Sequence, residues 1–413
     1  MRRASIIRAA ICSTLLSAAI CSTARGEDRI DAAMSYFVEP APHETLHVIH
    51  PSANGVIDLH RSVSLLLGYD ADIVTGATPR TYGLPMDAIS SATKFSDVRN
   101  VAHAGLEVRV GPTTLDAGYT FANENDYRSH SINASAKVDL WGKNTTFALS
   151  YAHNFDSVCD ADNRGAMPLE RRALSTSQGC FNPATQGLVV EPVAIDSYAA
   201  SYTQVLSPIV LGELSVGAEI INGFQSNPYR RVRLFSGTVE AQESEPLLRE
   251  RFSVQARLRV ALKKLRAAVG GTGRFYWDSW NVKSGTIEVT WDQYLSRAWL
   301  LRLRGRYYQQ GRALFYRDAG ETLSYDAVGP VGQYFTGDRE LSPFRDYLAG
   351  FKISYLKTAD ERGKFWRWFE ALDVNLKADL MKYDAMTPHP PNEARYAGLI
   401  DAIIAQLSAS LRW

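Results

Sequence analysis

The chain has 413 residues, with Lys+Arg 45 against Asp+Glu 44 and a formal net charge of +1. That balance argues against nucleic acid as a partner, which calls for a basic excess. Mean hydropathy is −0.19. The chain therefore looks soluble by hydropathy, and a membrane β-barrel looks the same, because only every second residue meets lipid.

At the N-terminus, Arg2, Arg3 and Arg8 precede an apolar run from Ala9 to Ile20, followed by the small residues Ser22, Ala24 and Gly26. This three-part layout predicts a secretory signal peptide over residues 1–26, removed on export. The run is too short to span a bilayer, which takes about 20 apolar residues. Cys21 is a poor lipidation site, because Ile20 stands where a small residue should precede it. Residues 27–56 read as an N-terminal extension, periplasmic or inserted in a lumen, broken by Pro40, Pro42 and Pro51.

That extension holds the only catalytic-looking motif. His43-Glu44-Thr45-Leu46-His47 spells H-E-x-x-H, with His50 three residues on. On a helix, this spacing sets two zinc ligands on one face beside a glutamate base. The flanking prolines and β-branched residues oppose a helix, so His43, His47 and His50 are weak metal candidates, and no cofactor and no enzyme activity are expected.

From Ile57 onward, the apolar residues recur with period two, the repeat of a strand with one apolar and one polar face. The segments are Ile57 to Tyr69, Ala104 to Val110, Leu115 to Phe121, Ile132 to Leu140, Phe147 to Tyr151, Tyr198 to Tyr202 and Leu214 to Ile220. Then follow Phe252 to Leu262, Val269 to Trp277, Ile287 to Trp291, Trp299 to Tyr307, Tyr347 to Tyr355, Leu372 to Leu380 and Ile403 to Trp413. Connections alternate between long and short, as they must when both termini lie on one side of a membrane. The weak run Val232 to Val239 is assigned to a loop, because one more strand inverts every later connection. The fold class is an all-β transmembrane antiparallel up-and-down β-barrel of about 14 strands, range 12 to 16, over residues 57–413, with long external loops and short periplasmic turns. Tyr 20, Phe 16 and Trp 8 supply aromatic girdles. The alternating tail ending at Trp413 resembles the signal by which Gram-negative barrels are recognised by the barrel-assembly machinery, and its expected closing partner is the strand from Ile57 to Tyr69.

Two cysteines, Cys159 and Cys180, remain after the signal peptide, in one polar segment of an exported chain. The simplest reading is a loop disulfide. If the apolar faces meet lipid, Arg257, Arg259, Arg274, Arg302, Arg304 and Arg306 turn inward as a basic wall, and Glu288 and Asp292 lie between its stripes. Such rows either set a transverse field that selects solutes or form a cross-strand ladder that keeps buried charges paired.

The stretches YDADIVTGATP (Tyr69 to Pro79), DAISSATKFSDVRN (Asp87 to Asn100), KNTTFALSYAHNFD (Lys143 to Asp156) and YFTGDRELSPFRDYLAGFKISY (Tyr334 to Tyr355) resemble a family of bacterial outer-membrane proteins, domain of unknown function 3570. The resemblance implies a barrel and carries over no active site. The expected function is an outer-membrane channel or transport protein for small solutes or an exported product. The alternatives are a non-conducting scaffold, receptor or adhesin acting through disulfide-stapled loops and, third, a metal-dependent hydrolase using the HETLH segment. Outer-membrane lipid, lipopolysaccharide and the barrel-assembly machinery are the expected partners.

Overall fold

The computed structural model describes residues 28–40, 45–76, 95–174, 180–181, 187–234, 239–316, 333–358, 369–386 and 401–413. The proposed signal peptide lies outside them. In chain order the strands are β1 (Arg29–Glu39), β2 (Leu46–His60), β3 (Val63–Gly76), β4 (Phe95–Val110), β5 (Thr113–Asn123) and β6 (Tyr127–Leu140). They continue with β7 (Thr145–Ala161), β8 (Leu188–Ser207), β9 (Val210–Gly223), β10 (Arg231–Leu234), β11 (Val239–Gln242) and β12 (Leu248–Leu262). The last six are β13 (Ala267–Asp278), β14 (Lys283–Tyr294), β15 (Trp299–Gln310), β16 (Phe344–Thr358), β17 (Ala371–Ala385) and β18 (Ala402–Arg412). All but β10 and β11 form one closed antiparallel barrel, and those two make a separate hairpin.

The barrel therefore has 16 strands, at the upper end of the expected range. The two beyond the expected 14 come from the stretch read as an extension: β1 pairs with β2, and β2 with β3. The alternation is present in β1, where Ile30, Met34 and Tyr36 are exposed outward while Ser35, Phe37 and Glu39 are buried. Pro51 does not end β2. It pairs with Met34 on β1, and the β2–β3 register skips His50 and Pro51, so the missing N–H interrupts the ladder on one side only. The run from Ile57 to Tyr69 is likewise two strands, because a turn at Arg61 and Ser62 divides β2 from β3. As a result β18 closes the barrel against β1, Arg412 opposite Arg29, rather than against the Ile57 segment.

Loop phase survives both corrections, since two extra strands leave parity unchanged. Short turns at Gly111-Pro112, Trp141 to Asn144 and Ser207 to Ile209 sit at the end that holds the termini, and the longest connections, 162–187, 224–247 and 311–343, sit at the other, together with the short links 124–126 and 279–282. Val232 does join a strand, β10, but β10 pairs only with β11 and stays outside the barrel wall.

The outer face is a band of exposed apolar side chains, among them Leu149, Val216, Leu258, Ile287, Leu303 and Leu407. In water this area costs about 25 cal/mol per Å². Against lipid it costs nothing, which is why the exposure is tolerable. Aromatic pairs dress the band: Tyr151 with Tyr198, Tyr307 with Tyr347 and Trp299 with Tyr355.

The buried hydrophobics lie inside, toward the loop-bearing end. One cluster joins Phe37, Val48, Leu348, Met381 and Tyr383 from β1, β2, β16 and β17. A second joins Trp280, Val282, Phe315 and Leu341, and a third joins Val232, Leu234, Ala241 and Phe335. The last two draw residues from the connections at 224–247 and 311–343, so these loops fold into the mouth instead of standing away from it.

Candidate functional site: the lumen and its loop plug

Strand parity turns Arg257, Arg259, Arg274, Arg302, Arg304 and Arg306 inward, together with Glu288 and Asp292. Most of the wall is paired. Asp292 takes Arg302 from the adjacent strand at 2.5 Å and Arg259 from across β13 at 2.5 Å. Arg306 bonds Asp346 at 2.9 Å, Arg257 lies 3.4 Å from Glu213, and Arg251 bonds Glu219 at 2.8 Å. Arg304 bridges to Asp379, with Glu288 at 3.8 Å on its other side.

The Arg304 pair depends on a missing side chain. Arg304 and Asp379 sit on β15 and β17 and face each other across Gly350 of β16. A Cβ on Gly350 would fall inside the van der Waals surface of Asp379 Oδ1 and stand 3.0 Å from the Ala378 carbonyl oxygen. Glycine here clears the path for a fully buried carboxylate to reach its arginine. Lys377 adds a second cation 3.1 Å from Asp379.

Above this ladder, beneath the loops, lies a cavity of about 640 Å³. Its wall mixes apolar and aromatic groups such as Ile221, Phe224, Tyr276, Trp280 and Tyr308 with charged ones. Arg251, Arg306 and Arg249 all face it with a carboxylate partner in place. Arg249 also stacks over Trp280, 4.2 Å from the ring centre. Arg274 lines the same cavity exposed to its interior, and its side chain forms no ion pair or hydrogen bond among the described residues.

The roof is the loop plug. The β10–β11 hairpin packs Val232, Leu234 and Ala241 around Phe335, and backbone bonds link Ser244 with Phe335 in both directions, at 3.1 and 2.9 Å. Arg230 holds Glu243 at 2.7 Å and Asp338 at 2.8 Å, and Glu243 also accepts from Thr336 Oγ1 at 2.5 Å and from the Asn227 N–H at 3.0 Å. Burial first, and then the neighbouring Glu243 and Asp338, push the Glu245 carboxyl well above the usual carboxylate range. Cys159 and Cys180 form the expected disulfide, Cα–Cα 5.4 Å, which ties the 162–187 loop to the end of β7.

Among the described residues the histidine motif does not assemble a metal site. His43 and Glu44 lie outside the described residues, and Leu46 to His50 belong to β2. His47 stacks on Tyr36 at 5.9 Å, whereas His50, of opposite parity, bonds Asp72 at 2.7 Å on the inner face. Two histidines on opposite faces of a strand cannot share one zinc ion.

The acidic partners Asp346 and Asp379 escaped the sequence reading although both have inward parity, because the arginines they meet lie on other strands. The group of Glu243, Glu245 and Asp338 had no sequence signal at all, since two separate loops bring it together.

Several solved structures share the barrel outline. A bacterial polysaccharide outer membrane secretin aligns at TM-score 0.48 and 10% identity over 94% of this chain and 98% of that one. CdiB from Acinetobacter baumannii aligns at 0.46 and 7% over 94% and 60%, and OccK2 (OpdF) from Pseudomonas aeruginosa at 0.42 and 10% over 94% and 97%. None is near enough to carry an argument about this chain. No curated protein matches it in sequence. The model of the family described as "Protein of unknown function (DUF3570)" matches residues 4–363, and the chain belongs to that family.

Proposed function

We propose that the protein is an outer-membrane channel for small polar solutes, weakly anion-preferring, and narrowed at its external end by the loop plug. The observation that carries this reading is the cavity of mixed apolar and charged lining into which Arg274 faces with its side chain unpaired among the described residues. The other five arginines of the wall sit beside Asp292, Asp379, Asp346, Glu213 and Glu288, so most of their charge is met locally and they contribute mainly rigidity. The lipid-compatible outer band, the closed hydrogen-bonded wall and the alternating tail support an outer-membrane location, reached by export, signal-peptide cleavage and insertion by the barrel-assembly machinery. Lipid and lipopolysaccharide then cover the outer band.

Bilayer recordings test the reading. Wild-type protein should conduct and prefer anions, and Arg274→Glu should move the reversal potential toward cation preference. A unit charge about 7 Å from an ion in water is worth about 0.6 kcal/mol, so reversing it should change the anion-to-cation ratio by roughly tenfold or more. An unchanged reversal potential removes Arg274 from the argument. Neutralising Arg302, Arg304 and Arg306 is the poorer test, because it strands their buried acids.

A second reading has one observation in its favour. The plug, the disulfide and the apolar cluster around Phe37 and Met381 occupy the mouth, as they do in a non-conducting scaffold or receptor. Absence of any conductance from a barrel that keeps its heat-modifiable gel mobility would favour it over the channel.

A further inference from the structure

We propose that Glu243, Glu245 and Asp338 hold a hard divalent cation of the calcium class, which pins the β11–β12 connection to the 311–343 connection across the barrel mouth. The three carboxylates each place an oxygen within 4.8 Å of the others. Two oxygens bound to one calcium at about 2.3–2.6 Å can stand up to roughly 5 Å apart, so the span fits a shared ion.

Charge points the same way. Arg230 pairs with Glu243 and Asp338, and Arg249 is committed to Asp278, so one guanidinium serves three carboxylates. Glu245 is the remainder. It is 8% exposed, and its carboxylate makes no hydrogen bond or salt bridge among the described residues, although it faces two others. A buried unpaired charge beside like charges is among the costliest arrangements in a protein, and a divalent ion removes the cost for the whole group at once.

The frame around the group is already fixed. The Glu245 N–H donates to Ser226 Oγ at 2.9 Å, the Asp338 N–H to Thr336 Oγ1 at 2.9 Å, and Thr336 Oγ1 to Glu243. Bonds of this kind orient ligands before the ion arrives. The three carboxylates line the same cavity as Arg274, so an ion held there would brace the plug and add positive charge to that cavity, in a channel or in a scaffold alike.

The test uses the full mature chain refolded in detergent free of lipopolysaccharide, which itself binds calcium. Terbium luminescence, sensitised by nearby aromatic residues, should saturate and should be displaced by calcium. Calcium should also raise the thermal midpoint of the plug. Glu245→Gln should weaken calcium binding at least tenfold and abolish the thermal increment, while its calcium-free midpoint equals or exceeds that of the wild type because a buried like charge has gone. Asp338→Asn should weaken binding independently. Asp162→Asn, an exposed acid paired with Arg164, should change nothing. Failure of wild-type protein to bind terbium saturably, failure of calcium to displace it, or unaltered calcium affinity in Glu245→Gln overturns the proposal.

Discussion

Replacing Asp379 with alanine should lower the stability of the folded barrel by about 3–5 kcal/mol, the range for breaking a buried ion pair by deleting one partner. The carboxylate is fully buried and pairs with both Arg304 and Lys377, so its loss takes the nearest acceptor from two cations at once. The measurement is the urea midpoint in lipid, or the temperature at which the compact gel band converts to the unfolded one. Asp379→Asn should cost less, because an amide oxygen still accepts from Arg304. Gly350→Ala should also destabilise, since the added methyl drives Asp379 off its partner. In the Asp379→Ala background the same glycine change should do much less. Equal cost in both backgrounds would show that the glycine matters for some reason other than that carboxylate.

Phe335→Ala should loosen the plug and leave the barrel wall intact. Phe335 is fully buried among Val232, Leu234 and Ala241, and truncating a core phenylalanine costs about 3–5 kcal/mol. The cost falls on a local unit, because among the described residues the cluster around Phe335 draws on loop residues and on no barrel strand. The gel shift should therefore persist while proteolysis in the 224–247 and 311–343 connections speeds up by orders of magnitude. If the channel reading holds, single-channel conductance should rise several-fold in the same variant. Proteolysis at the wild-type rate would mean that the hairpin is not anchored through this ring.

Much of the fold was legible because a barrel wall writes its two environments into alternate residues. Strands such as β12, with Phe252, Val254, Ala256, Leu258 and Val260 on one face and Arg251, Arg257 and Arg259 on the other, need no further information. β1 and β2 were missed for two physical reasons. A proline inside a strand reads as a break, although an interruption on one side is tolerated, and the turn at Arg61-Ser62 carries no glycine, proline or asparagine to mark it. The parity of loops could not expose the error, because it detects one missing strand and is blind to two. At the site, the arginines and Glu288 were readable from alternation, and so was Asp292. Their pairing was not, since Arg259 and Arg304 reach past a whole strand to acids fixed only by register. The plug lay further beyond reach, because Arg230, Glu243 and Asp338 meet through loop folding that leaves no periodic trace.

The position of the seam fixes the order of events in biogenesis. Arg29 lies opposite Arg412, so the first strand to emerge must wait for the last before the wall can close. Until then β1 and β18 are two raw edges, each a row of unpaired N–H and C=O groups able to capture a foreign strand. Contacts this distant in sequence are also the slowest to find. A chain stalled or clipped near its C-terminus has therefore already made fifteen strands of sticky, unclosed sheet, which makes the closing step the point of greatest exposure to aggregation and to proteolysis.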